Sequence, residues 1–133
     1  MLQFDLTADL ERRGGAAWPH RIADAARLLG STEGLEWIKG IGAEVAEAIG
    51  LQATGAVRLV TLGRGPAHTW QAGGPVLVIF PETAPDGALV VERGRVAHRR
   101  GWAVLVRSGE IDVEPVDVAT GRVLAVIDLR EAA

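Results

Sequence analysis

Cysteine and tyrosine are both absent from the 133-residue chain, and lysine occurs once, at Lys39. Without thiols neither a disulfide framework nor a thiolate metal site can form, and nothing calls for an oxidising compartment. The remaining basic residues are all arginine, a bias that carries no mechanism. Acidic residues outnumber basic ones by 17 to 14, giving a net charge of −3. Phosphate contacts need locally concentrated Lys and Arg, so any nucleic-acid surface has to be a patch. No stretch reaches the roughly 18 uninterrupted apolar residues that span a bilayer. The start, Met1-Leu2-Gln3-Phe4-Asp5, lacks the basic and apolar regions of a leader peptide. A cytoplasmic protein with no membrane contact is the expectation.

What is present suits a folded chain. With 48% hydrophobic and 23% charged residues the composition is far from that of disorder. The length fits one compact domain or two small subdomains. Leu2, Phe4 and Leu6 alternate with polar residues and predict a short strand before a break at Arg12-Arg13-Gly14-Gly15. Pro19 suits a first helical position, and Ile22, Ala25, Ala26 and Leu29 follow at helical spacing to Gly30, predicting a helix over 19–29. Ser31 or Thr32 can cap a short helix over 33–39, which Gly40-Ile41-Gly42 then breaks before a second over 43–49.

After Gly50 the period changes. Val57 to Leu62 reads as strand by its β-branched content, and Gly63 to Gly74 as an irregular connection. Strands are predicted at 76–80, 88–97, 102–107, 111–118 and 122–129. Pro85-Asp86-Gly87, His98 to Gly101, Ser108-Gly109 and Ala119-Thr120-Gly121 mark the turns. The expected fold class is α+β, a helical hairpin unit at 1–66 followed by a mostly antiparallel sheet or small barrel at 67–133, with room for one shared core.

One segment has a specific shape. In Leu35-Glu36-Trp37-Ile38-Lys39-Gly40-Ile41-Gly42-Ala43-Glu44-Val45-Ala46-Glu47-Ala48-Ile49 two glycines frame a hydrophobic residue between apolar helical stretches. Glycines permit a tight turn, and a turn entering a helix leaves main-chain N–H groups open to an anion. The segment resembles a helix-hairpin-helix motif. With the preceding helix, residues 19–55 are most similar to the amino-terminal domain of family X DNA polymerases. The resemblance implies nonspecific DNA-backbone binding through Gly40, Ile41 and Gly42, with Lys39 adding charge. It does not extend to the lyase chemistry of that domain, because Glu44 and Ala48 stand where lysines would be needed on the second helix. Nor is there a polymerase palm, since no aspartate pair has metal-binding spacing.

A second candidate DNA contact is the run from Glu92 to Trp102. Between Gly87 and Gly109 five arginines accompany one glutamate, an excess of +4. Arg93, Arg95, Arg99 and Arg100 can grip phosphates while Trp102 stacks on a base. Alternatively Glu110, Asp112, Glu114 and Asp117 pair with these arginines across the sheet and leave a neutral face. The loop Thr61-Leu62-Gly63-Arg64-Gly65 follows a strand but no Walker lysine comes after it, and Gly40-x-Gly42 lacks the context of a dinucleotide fingerprint. His20, His68 and His98 are dispersed and read as surface or turn residues, so no metal site is expected. Trp18, Trp37 and Trp70 read as packing residues. With no catalytic set, no cofactor and no metal indicated, a small-molecule enzyme using the Gly63 to Gly74 loop is the least favoured reading, and two others stand ahead of it. One is a non-enzymatic DNA-binding accessory, the other a protein-interaction or oligomerisation module that uses a sheet edge.

Overall fold

Residues 2–27, 32–62, 68–92, 94–115 and 122–131 are described by a computed structural model. In chain order the elements are β1 (Leu2–Asp5), α1 (Thr7–Gly14), α2 (Trp18–Arg27), α3 (Thr32–Ala48), β2 (Leu51–Leu62), β3 (His68–Ala72), β4 (Val76–Ile79), β5 (Ala84–Val91), β6 (Gly94–His98), β7 (Trp102–Val106), β8 (Gly109–Val113) and β9 (Arg122–Glu131). The fold is mixed, with helices beside two antiparallel sheets. One sheet has the order β1-β7-β4-β9-β2 and the other β3-β8-β5-β6, both open rather than closed into a barrel.

The layering follows from the central strands. Along Val76–Ile79 every residue is buried, which happens when a strand is covered on both faces. Leu77 and Ile79 join Leu105, Ala103, Ile127 and Ala125 against the helices. Val76 and Val78 join Val104, Val106, Leu124 and Val126 against Leu89, Ile111 and Val113 of the second sheet. The five-stranded sheet is therefore the middle layer between two apolar cores. Pairing also joins the two halves of the chain, since β1 pairs with β7 and β2 with β9.

The expected break at Gly40-Ile41-Gly42 is corrected. Helix α3 runs without interruption from Thr32 to Ala48, straight through both glycines. Each glycine costs about 1 kcal/mol of helix propensity relative to alanine, but tertiary packing outweighs it. Ile38, Ile41 and Ala46 are buried, Val45 and Ile49 pack against the same core, and 38-41-45-49 is one helical stripe. A Cβ at Gly42 would lie 2.7 Å from Cδ1 and 2.9 Å from Cγ2 of Ile127. Gly42 is thus the point at which helix backbone sits directly on β9. Gly14 has a similar role at the helix junction, where a Cβ would lie 2.5 Å from Cζ2 of Trp37 and 2.8 Å from Cβ of Trp18.

Several smaller expectations are also corrected. Helix α1 lies where only a break was expected, because Leu6 and Leu10 bury one face of an otherwise charged segment. Strand β3 occupies part of the stretch read as irregular. Strand β2 starts at Leu51, ahead of the apolar run, with a register shift between Ala53 and Val57. Pro85-Asp86-Gly87 is a bulge within β5 rather than a turn, shown by the shift between Ala84 and Ala88. The predicted continuations over 28–29 and 116–118, the candidate loop at Gly63, Arg64 and Gly65, and Arg93 lie outside the described residues.

Candidate functional site

The residues expected to bind DNA do not converge on a phosphate cradle. Gly40, Ile41 and Gly42 are interior to α3, where the main-chain N–H groups are engaged in the helix, and Ile41 and Gly42 are buried against the sheet. Lys39 pairs with Glu36 one turn back, Nζ to Oε1 at 3.3 Å. Arg95 on β6 holds Glu114 with two parallel bonds of 2.8 and 2.6 Å, so the cross-sheet pairing applies to this arginine. Arg99 and Arg100 lie beyond β6, both exposed. Their guanidinium groups sit over Trp102 at 4.9 Å and over Trp18 at 5.6 Å. His98 is a correction, being buried and stacked on Phe80 with centroids 4.8 Å apart. Among the described residues no group of three or more His, Cys, Asp or Glu could hold a metal ion, and no helix is long and apolar enough to cross a membrane.

The feature that sequence reasoning left out is a groove of about 550 Å³ between β1, α1 and α3. Phe4 comes from β1, while Ile41, Val45, Ala48 and Ile49 form one flank of α3. Asp9 of α1 and Glu44 of α3 lie at the helical end. Arg12 bridges Asp9 at 3.0 Å and Glu44 at 3.6 Å, and Arg13 also pairs with Glu44. Exposed pairs like these stabilise little, but they set α1 beside α3. Glu44, which as a hairpin residue would repel phosphate, is here the acceptor of that clamp.

Strand β1 forms the outer wall, and its far edge is unpaired among the described residues. The Leu6 N–H donates to the Gly101 carbonyl at 2.8 Å, which puts this amide on the β7 side. Amide direction alternates along a strand, so Leu2 and Phe4 also face β7, and the N–H and C=O of Gln3 and Asp5 point outward. Side chains follow their own alternation. Leu2 lies across from Leu105 and Phe4 from Ala103, extending two helix-side rows, Ile127-Leu77-Leu105 and Ala125-Ile79-Ala103, to the open edge. Leu2, 48% accessible, is the one large apolar side chain exposed among the described residues.

Asp5 closes the strand. Its Oδ1 accepts the Thr7 N–H at 3.0 Å, and the Thr7 amide, with the hydroxyl adding to it, holds the Asp5 carboxyl below its ordinary value. No cation pairs with Asp5 among the described residues, in contrast to Asp9 and Glu44. The other edge of the same sheet is less open. Strand β2 is bulged at residues 54–56, where the Thr54 hydroxyl donates to the Asp128 carbonyl at 3.2 Å, and bulges discourage pairing with another chain.

Compared with protein-family models, curated protein sequences and solved structures, the chain matches none.

Proposed function

We propose that this protein is a protein-interaction module that receives a partner polypeptide in the groove between β1 and α3. One observation carries the reading: a sheet edge that is unpaired among the described residues, with an exposed leucine on it, adjoins an apolar groove on the helix-covered face. Exposed edges and grooves between secondary elements are recurrent peptide receptors. The test is selection of displayed random dodecapeptides against the protein, followed by affinity measurement with Ala48→Arg. Ala48 is exposed on the last turn of α3, so arginine there fills the groove, suits the helix terminus and leaves the core untouched. The expected result is micromolar binding to the wild type and a loss of at least about tenfold in the variant, which corresponds to about 1.4 kcal/mol. Selected peptides that ignore Ala48→Arg would count against the groove.

A second reading keeps DNA as the partner through the arginine turn alone. Arg99 and Arg100 have no carboxylate partner among the described residues, and a guanidinium placed over an indole still has N–H donors for a phosphate. Under this reading fluorescent DNA binds at low salt and releases as salt rises, and Arg99→Glu/Arg100→Glu abolishes binding. Binding unchanged in that double variant removes the reading.

A further inference from the structure

We infer that the segment entering this groove does so as an added strand, antiparallel to β1, with the pattern basic–apolar–any–apolar. The inference rests on the protein-interaction reading and specifies its ligand.

The outward main-chain groups supply the first part. Gln3 and Asp5 each present one N–H and one C=O beyond the sheet, so an incoming strand meets two residues prepared for ladder bonds. Every pairing of this sheet is antiparallel, and because antiparallel ladders are slightly the more stable per residue the addition takes the same sense. A helix docking in the same groove would leave those four groups unpaired.

The side-chain rows supply the second part. In an antiparallel pair, residues directly opposite point to the same face. The two ligand residues opposite Leu2 and Phe4 therefore turn toward the helix face, where they extend the Leu105 and Ala103 rows and meet Val45 of α3 and Ile49 just after it. Both positions call for apolar side chains, and they are two apart in the ligand. The residue between them, opposite Gln3, points to the other face, where Gln3 is exposed, and is unconstrained.

Charge supplies the third part. The ligand residue opposite Asp5 faces a carboxylate that has no cation partner among the described residues, whereas Asp9 and Glu44 are already matched by Arg12 and Arg13. Lys or Arg at that position completes the pair. Because an antiparallel ligand meets Asp5 first and Leu2 last, the basic residue precedes the two apolar ones.

Gln3→Pro tests the strand geometry. Proline removes the Gln3 N–H, which points away from β7, and edge positions of that kind tolerate proline. Peptides selected on the wild type should carry the basic–apolar–any–apolar pattern. They should lose at least about tenfold in affinity to Gln3→Pro while the melting temperature stays within a few degrees. Asp5→Asn keeps an acceptor for the Thr7 N–H, and it should erase the preference for Lys or Arg over Gln at the first position, an effect of about two- to fivefold. Peptides that lose affinity to Ala48→Arg but not to Gln3→Pro would overturn the strand inference and leave the groove reading standing. Peptides insensitive to all three variants would overturn both. Should Gln3→Pro unfold, amide exchange of the wild type decides: peptide must protect the Gln3 and Asp5 amides, and unprotected amides overturn the inference.

Discussion

Gly42→Asp will unfold the protein or bring it to the edge of unfolding. The Cβ alone would stand 2.7 Å from one carbon of Ile127 and 2.9 Å from another, and Ile127 is itself buried in the middle of the sheet. Overpacking of this kind costs about 1–3 kcal/mol. The carboxylate adds more, since it would enter an apolar contact between helix and strand with no cation beside it, at roughly several kcal/mol. Together these approach the entire stability of a domain this size, about 5–15 kcal/mol. Gly42→Ala separates the two contributions. It meets the same steric contact without the charge and recovers about 1 kcal/mol of helix propensity, so it should fold with a smaller loss. Circular dichroism during thermal unfolding checks both. If Gly42 instead sat in a solvent-facing hairpin, Gly42→Asp would stay folded and weaken anion binding alone. A wild-type melting temperature for Gly42→Asp would overturn the packing described for α3.

Trp18→Ala should cost about 3–5 kcal/mol, the range for removing a buried tryptophan. Trp18 is 1% accessible and opens α2. Gly14 of α1 lies against its Cβ, and the guanidinium of Arg100 lies over its ring. At roughly 3–5 °C per kcal/mol for a chain of this length, the melting temperature falls by about 10–20 °C. Chemical denaturation gives the same quantity independently, and a loss below about 1 kcal/mol would show that Trp18 does not hold the helices together. The substitution also removes the ring beneath Arg100. A change in DNA binding is therefore read from Arg99→Glu/Arg100→Glu, which leaves Trp18 in place.

A glycine that frames a turn and a glycine that lets a helix approach a strand both require the absence of Cβ, so Gly42 looks alike in either setting. The distinguishing signal was the phase of the apolar residues. Ile38, Ile41, Val45 and Ile49 keep one helical stripe across the glycines, whereas a hairpin would reset it. The arginine run has a comparable ambiguity. Arg95 and Glu114 are far apart in the chain and meet only through strand register, with β5 lying between β6 and β8. The groove was less legible still. Leu2 and Phe4 were readable as strand residues, but nothing local says that β1 ends up as the outermost strand or that the flank of α3 stands beside it.

By itself the sequence determined a helical part ahead of a β-rich remainder, the apolar runs at 76–80 and 102–106, and the lack of any thiol chemistry. These depend on residue type and on periodicities of two and 3.6, which neighbours along the chain express. Tertiary structure alone decided that α3 passes through its glycines and that, among the described residues, Arg95 is neutralised while Asp5 is not and one edge of the middle sheet is left open beside an apolar groove. Each of those depends on contacts between residues distant in sequence, where burial against a partner outweighs a local preference of about 1 kcal/mol per residue.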